Sequence, residues 1–157
     1  MPKPFFVNAA NSPRPLNVVG EKITVLASGD QTGGYEVFLQ DGPPDSGPPP
    51  HSHDWDETFY VLKGEVQFSI GDEPRLATAG NLVHLPAGTV HWFRCGREGA
   101  LMLSMTSRKG ASEVFAAIDR EIPPGPLDVD KIYAVISANG VTPGPMPVAS
   151  GRSYVGS

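Results

Sequence analysis

Short apolar segments with alternating polar positions recur along the first two thirds of the chain, and they predict β-strands. The clearest is at residues 65–70, where Val66, Phe68 and Ile70 alternate with polar residues, as in a strand with one buried face. The same pattern predicts further strands at residues 22–27, 35–40, 58–63, 81–85, 91–95 and 100–105. Their number and spacing favour a barrel or a sandwich.

Beyond Gly110 the apolar residues follow helical spacing instead. One such pattern ends at Pro123, and a second begins after Asp128, a plausible N-cap, and ends near Gly140. We therefore predict two short C-terminal helices within about residues 111–139, covering an open end or edge of the sheet. Residues 141–157 are rich in Pro, Gly and Ser and are predicted to form an extended or disordered tail.

The composition fits one domain over residues 1–157, with a barrel core at about residues 20–107. A chain of 157 residues can bury a sizeable core without a metal or disulfide to hold it together. Its 18 glycines and 17 prolines fall mostly between the predicted strands, as expected for an all-β fold with tight turns. Helical core is not indicated in this part of the chain.

Charge and cysteine content exclude several classes of function. The net charge is −5 and the basic residues are dispersed, so we expect no nucleic-acid partner. A single cysteine, Cys95, cannot form an internal disulfide, and the first residues lack the apolar region of a secretory signal. No apolar run approaches the roughly 18 residues that a membrane span needs. We expect a cytoplasmic protein with no membrane partner.

The residues with recognisable chemistry lie between Gly47 and Cys95. His51 and His53 are one residue apart, Glu57 follows, and His91 comes after a turn at Pro86 and Gly88. Three neutral imidazoles and one carboxylate would hold a divalent ion with one or two coordination positions open, as in catalytic sites. The competing interpretation is a structural polar cluster that holds no metal.

These segments resemble the two motifs of the cupin superfamily. His51, His53, Glu57 and Gly64 match the first motif, and Gly80, Pro86, Gly88 and His91 match the second. The resemblance implies a single-domain cupin, which is a double-stranded β-helix or jelly-roll barrel, here followed by two short helices. It also implies that His51, His53, Glu57 and His91 bind one divalent transition metal. The ligand types suit Fe, Mn, Ni, Co, Cu and Zn alike.

Two positions depart from the family pattern. The glycine expected six residues before the first histidine is absent, and Gly47 stands four before His51, followed by three prolines. This departure predicts a stiffer approach loop. The asparagine that usually closes the second motif is replaced by Cys95, which is expected to be a small buried residue with an unactivated thiol.

Several aromatic residues are candidates for the wall of a substrate pocket. The predicted pocket residues are Trp55, Phe59, Phe68, Phe93 and Cys95. Asp54 and Asp56 are expected to be solvated, although either could orient a ligand imidazole. His84 lies away from the motif positions and is left out of the site. The motifs supply Glu57 as the only base, and no second acid is evident.

The fold alone does not select a reaction. The chain resembles small cupins grouped with quercetinase-like dioxygenases, including a Glu-x-Phe element at Glu113 to Phe115. That resemblance implies a dioxygenase-like oxidoreductase acting on a small enolisable or aromatic substrate. The alternatives are a non-redox isomerase, cyclase, lyase or hydrolase that uses the same metal, and a non-catalytic cupin that binds a small ligand. Unpaired strand edges predict a homodimer in which N-terminal strands help to close the partner.

Overall fold

The computed structural model describes residues 1–145, over which strands dominate and three short helices interrupt them. The strands are β1 (Leu16–Val18), β2 (Glu21–Ala27), β3 (Glu36–Gly42), β4 (His51–Ser52), β5 (Glu57–Ile70), β6 (Glu73–Thr78), β7 (Leu82–Leu85), β8 (His91–Thr106) and β9 (Thr142–Pro143). The helices are α1 (Gly29–Thr32), α2 (Ala111–Glu121) and α3 (Val129–Ala138).

The strands form one curled sheet in which the two longest, β5 and β8, are the central pair. The C-terminal half of β8 lies between β3 and the first half of β5, and its N-terminal half pairs with β4 and with the second half of β5. Each long strand therefore contributes to two sides of the barrel. This arrangement confirms the predicted all-β barrel followed by two C-terminal helices.

The structure joins four of the predicted strands in pairs. The strands predicted at residues 58–63 and 65–70 form β5, and those predicted at residues 91–95 and 100–105 form β8. Glycines at the junctions suggested breaks, but β5 continues through Gly64 with a register shift next to it. Gly64 has φ of 78°, and a Cβ there would lie 2.2 Å from the carbonyl oxygen of Gly99. The position therefore accommodates a bulge and a close backbone approach, which bend the strand without ending it.

Other elements carried weak signals and were not predicted. Strand β6 is almost entirely exposed and contains Pro74, while β4 has only two residues. Helix α1 is one turn long and begins at a capping box between Ser28 and Gln31. The two C-terminal helices are confirmed, and Asp128 caps α3 by accepting a hydrogen bond from the backbone N–H of Lys131 at 3.1 Å.

Two apolar clusters fill the interior. The first joins β1–β3 to α2 and α3, where Phe38 packs edge-on against Phe115 with ring centroids 5.0 Å apart. The second lies inside the β5–β8 part of the barrel around Phe59, Phe68 and Phe93. These three rings contact one another at centroid distances of 5.2 to 5.5 Å. The helices thus complete a core that the sheet leaves open at one end.

The first residues of the predicted tail are extended. Thr142 and Pro143 pair with Ser52 and His51, so β9 extends the sheet beside β4. These residues match the extended alternative of the prediction, although the sequence did not indicate that they join the sheet. The rest of the predicted tail, residues 146–157, lies outside the described residues. Across residues 1–145, no helix has the length and apolar character to cross a bilayer.

Candidate metal centre

Three separate parts of the chain bring the predicted ligands together. His51 in β4 is directly opposite His91, the first residue of β8. Glu57 is the first residue of β5, and His53 lies in the short irregular segment between β4 and β5. A continuous strand would have placed the odd-numbered residues on one face, but the chain reaches the same convergence through this irregular segment.

The four side chains form a compact and buried group, named here the histidine–glutamate cluster. One potential ligand atom from each of His51, His53, Glu57 and His91 lies within 4.8 Å of those of the others. His53, Glu57 and His91 are 7%, 6% and 1% exposed, and His51 is partly buried. Side chains of this polarity remain in an apolar interior only when they are paired or bind a ligand.

Each imidazole of the cluster has a fixed tautomer, because its Nδ1 faces a backbone carbonyl oxygen, which can only accept. The acceptors are Pro49 for His51 at 2.8 Å, Trp55 for His53 at 3.0 Å and Thr89 for His91 at 2.9 Å. With the proton on Nδ1, a neutral ring presents a lone pair on Nε2. Backbone carbonyls thus do the orienting that carboxylates often do around metal-bound histidines.

The Nε2 atoms converge on the carboxylate of Glu57. His53 Nε2 lies 2.9 Å and His91 Nε2 lies 3.4 Å from Glu57 Oε2. Two lone-pair-bearing atoms at such distances repel each other unless a proton or a cation lies between them. His91 Nε2 is also buried without a hydrogen-bond partner. Three Nε2 lone pairs and one carboxylate oxygen therefore form a donor set that fits a divalent transition metal.

The electrostatics of the cluster keep these groups in the form that a cation requires. Burial, and then the nearby His91, lower the pKa of His51 to about 3, so its ring is neutral near pH 7. Burial opposes ionisation of Glu57, but a proton shared with His53 Nε2, together with the contact with His91, outweighs this effect, and a cation bound between these atoms would take the place of that proton. The pKa of Glu57 is therefore lowered below its usual value, and its carboxyl group is ionised.

A cavity of about 70 Å³ adjoins the cluster, between β2, β3 and the two C-terminal helices. All four side chains of the cluster line it, together with apolar residues of α2 and α3. Of the predicted pocket residues, Trp55, Phe59 and Phe93 line this cavity. Phe68 and Cys95 are buried in the second apolar cluster and do not.

Trp55 holds His53 in place from one side. The two rings are stacked at 4.4 Å with an interplanar angle of 7°, and the guanidinium of Arg108 lies over the other side of the indole at 5.3 Å. The indole is 4% exposed, and its Nε1 has no hydrogen-bond partner. Trp55, one of the predicted pocket residues, is therefore part of the cavity wall beside the candidate metal ligand His53.

The remaining sequence candidates have structural roles. Asp54 is exposed and pairs with Arg108, and Asp56 accepts a hydrogen bond from the backbone N–H of Ala87 at 2.9 Å. Neither aspartate orients an imidazole, because backbone carbonyls do so. His84 is exposed and hydrogen-bonded to Thr58 at 2.8 Å. The thiol of Cys95 is buried, and burial followed by the nearby Glu21 raises its pKa to about 11.

The approach loop is tightly constrained, as the departure at Gly47 suggested. Gly47 has φ of 147°, and a Cβ there would lie 2.0 Å from the carbonyl oxygen of Phe93. The guanidinium of Arg94 donates to the carbonyl oxygens of Gly47 at 2.8 Å and Pro48 at 3.2 Å. The loop is thereby fixed to β8, and the carbonyl oxygen of Pro49 is positioned to accept the hydrogen bond from Nδ1 of His51.

The sequence analysis missed two polar residues of the cavity, Glu21 and Gln40. Both are 2% exposed and line the cavity on β2 and β3. Their signal was present in the strand alternation, because Glu21 shares parity with the buried Ile23 and Gln40 with the buried Phe38. The expectation that no second acid accompanies Glu57 is therefore wrong.

Known proteins share the barrel and part of the sequence. The family model of the cupin domain matches residues 38–106. Quercetin 2,3-dioxygenase of Bacillus subtilis (strain 168) is 30% identical over 97 residues, which cover 60% of this chain and 29% of that enzyme. The chain thus spans less than a third of that enzyme's length.

Solved structures show the same fold at low sequence identity. KdgF from Halomonas sp. superimposes with a TM-score of 0.62 at 19% identity, covering 71% of this chain and 98% of that one. An RmlC-like cupin from Shewanella frigidimarina gives a TM-score of 0.63 at 16% identity, covering 71% and 96%. The match to the cupin domain model is therefore confined to residues 38–106, and the solved structures share the fold of the barrel.

Proposed function

We propose that this chain is a mononuclear metal-dependent enzyme, a dioxygenase-like oxidoreductase acting on a small enolisable or aromatic substrate in the barrel. The observation that carries the proposal is the convergence of three Nε2 lone pairs and one ionised carboxylate beside a cavity with apolar walls. The partial similarity to quercetin 2,3-dioxygenase supports oxidation over other chemistries.

The residues that would hold the metal are His51, His53, Glu57 and His91. When bound, such an ion acts as a Lewis acid that lowers the pKa of a coordinated enol or hydroxyl group. Glu57 also provides the base, because its carboxylate is ionised and can accept a proton from the substrate. Trp55 keeps His53 in place, and the helices α2 and α3 contribute apolar side chains to the wall of the cavity.

The size of the cavity supports a small substrate. Its volume of about 70 Å³ is well below the roughly 300–1,000 Å³ of pockets that hold drug-sized ligands. A ligand with only a few non-hydrogen atoms fits without any movement of the chain. Phe115 limits the room beside the cluster, because it both lines the cavity and packs on Phe38.

Oxygen consumption tests this proposal. Protein reconstituted separately with Fe²⁺, Mn²⁺, Ni²⁺, Co²⁺, Cu²⁺ and Zn²⁺ is mixed with small enolisable compounds in an oxygen electrode, with His53→Ala as the control. We expect uptake with at least one redox-active metal and none with His53→Ala. Substrate turnover without oxygen uptake would instead identify an isomerase, cyclase or lyase. Metal binding with no turnover of any compound would identify a ligand-binding cupin.

We also infer a homodimer. Large apolar side chains are exposed on the outer face of the sheet, on the neighbouring strands β5, β7 and β8, at Tyr60, Leu62, Leu82 and Met105. Light scattering at micromolar concentration should give twice the mass of 16.7 kDa. A mass of one chain would contradict the inference.

A further inference from the structure

The cavity contains a second polar group, away from the histidine–glutamate cluster. Glu21 on β2 and Gln40 on β3 line the cavity among apolar side chains, and each is 2% exposed. Among the residues that the structure describes, five buried side-chain polar atoms have no hydrogen-bond partner. Glu21 Oε1 and Gln40 Oε1 are two of them.

Such unpartnered atoms are costly in a folded protein. A buried polar group without a partner destabilises the fold, so natural cores leave few of them unless a ligand or water completes the bonding. Four of the five atoms belong to residues that line this one cavity: Glu21, Gln40, Trp55 and His91. Among the described residues, the unsatisfied hydrogen-bonding capacity is therefore concentrated in residues that line this cavity.

Glu21 is buried among groups that on balance oppose its ionisation. The groups that act on Glu21 are the carboxylates of Glu57 and Asp41, the guanidinium of Arg94 and the neutral thiol of Cys95. Burial, and then Glu57, raise the pKa of Glu21 to about 8. At pH 7 Glu21 can donate a hydrogen bond, and Gln40 Oε1 can accept one.

From this arrangement we propose that Glu21 and Gln40 bind an uncharged hydroxyl group of a small hydroxyketone or enol, while the ketone oxygen of the same molecule faces the histidine–glutamate cluster. A hydroxyl group satisfies both residues, because it accepts from the Glu21 carboxyl and donates to Gln40 Oε1. Of the described residues that line the cavity, none is lysine or arginine, so a second anionic group on the ligand would have no counter-charge. The inference rests on the proposed function, since the ketone is held by the metal.

Hydroxyacetone and acetone form the probe pair, because they differ by the one hydroxyl group that Glu21 and Gln40 would bind. Zn²⁺ is loaded into the full chain, its content is measured by elemental analysis, and dissociation constants are obtained by ¹H–¹⁵N NMR titration. Wild-type protein should bind hydroxyacetone about 10-fold more tightly than acetone, as expected for hydrogen bonds with a net value near 1.4 kcal/mol. The side-chain amide resonances of Gln40 should shift with hydroxyacetone and stay in place with acetone.

Variants of the two residues separate recognition from folding. Glu21→Leu and Gln40→Leu should each bring the affinity ratio of the two probes close to one while the zinc content stays at one per chain. Glu21→Gln keeps a neutral donor and should retain the preference. In wild type the preference should decline above pH 8, where Glu21 ionises, and in Glu21→Gln it should not change with pH. Glu98→Gln, at an exposed position of β8, is the control and should behave as wild type.

The outcomes distinguish this inference from the proposed function. If wild-type protein takes up no zinc, the metal-dependent function fails, and the inference fails with it. If zinc binds but the ratio is unchanged in Gln40→Leu and in any Glu21 variant that folds, the inference is wrong and the proposed function is unaffected. If Glu21→Leu does not fold, Gln40→Leu and the pH profile of Glu21→Gln still decide the question.

Discussion

Glu36 and Glu21 are buried glutamates at opposite ends of the β2–β3 pair, and their surroundings differ completely. Glu36 is 0% exposed and accepts hydrogen bonds from the backbone N–H groups of Gly29, Gly110 and Ser112 and from the Ser112 hydroxyl. Glu21 is 2% exposed, and its Oε1 accepts none. One carboxylate is satisfied by the protein itself, and the other has capacity left for a ligand.

This difference separates a buried carboxyl group with a structural role from one that can bind a ligand. Glu36 binds the first turn of α2, where the positive end of the helix dipole and the free N–H groups favour an anion. It therefore fixes the helices over the cavity. Glu21 lines the same cavity without such donors, so it stays protonated near neutral pH. Burial alone does not distinguish the two roles, but the number of satisfied hydrogen bonds does.

The largest effect on stability is expected at Glu36. Glu36→Ala leaves three backbone donors, one buried and two partly buried, and one hydroxyl without their acceptor, which should lower the free energy of unfolding by about 3–5 kcal/mol. Urea denaturation at pH 7 measures this loss, with Glu98→Ala as the exposed control. An effect below about 1 kcal/mol would show that the network contributes little, and the contrast with Glu21 would then disappear.

Glu57 is a third buried glutamate, whose partners are histidines. Glu57→Gln removes the only anionic ligand while keeping the shape of the side chain, so zinc affinity should fall more than about 100-fold, since lesser changes around metal sites already cost 10–100-fold. Competition with a chelator of known affinity measures the loss. Unchanged affinity in Glu57→Gln would mean that the carboxylate is not a ligand.

The pH dependence of stability should report the protonated state of Glu21. Because the pKa of Glu21 rises from 4.5 in the unfolded chain to about 8, the folded state retains a proton that the unfolded state releases between these values. This contribution to stability is complete below pH 4.5 and is lost as the pH rises towards 8, by up to about 1.4 kcal/mol per pH unit. Glu21→Gln should abolish the slope.

The measurement compares wild type with Glu21→Gln, because other groups also contribute to the pH dependence of stability. In metal-free protein the lowered pKa of His51 gives an opposite slope, since a neutral buried histidine loses stability as the pH falls. That slope is common to wild type and Glu21→Gln. Denaturation midpoints at pH 5, 6, 7 and 8 that run parallel for the two proteins would contradict the protonated state of Glu21.

The smallest effect is expected at Cys95, beside Glu21. Its thiol is buried and protonated, so Cys95→Ala should cost only about 1 kcal/mol, the value of one small buried group. Zinc content and the preference for hydroxyacetone should stay unchanged. Loss of either property, measured by elemental analysis and NMR titration, would assign Cys95 a role in the site.

The ligand set could be predicted because its signal is local. His51, His53 and Glu57 lie within seven residues, and His91 follows a turn with its own Pro and Gly signature. The barrel could be predicted from the alternation in its long strands, and the helices from the spacing in α2 and α3. In each case the information lies within a short window of sequence.

Glu21 and Gln40 could not be assigned to the site in the same way. Their meeting depends on the register of β2 against β3, with Ile23 opposite Gln40, and on the curl that turns this pair toward the helices. The same limit explains why four strands were predicted where β5 and β8 form two. A glycine marks either a break or a bulge, and the partner strand decides which.

The central claim is that three imidazoles and one carboxylate hold a single metal ion, and elemental analysis combined with a stoichiometric Zn²⁺ titration tests it most directly. The titration should give one zinc per chain in wild type and none in His53→Ala, with the two circular dichroism spectra alike because the barrel does not depend on the ion. Equal zinc content in both proteins, or no uptake by wild type at micromolar zinc, would contradict the account.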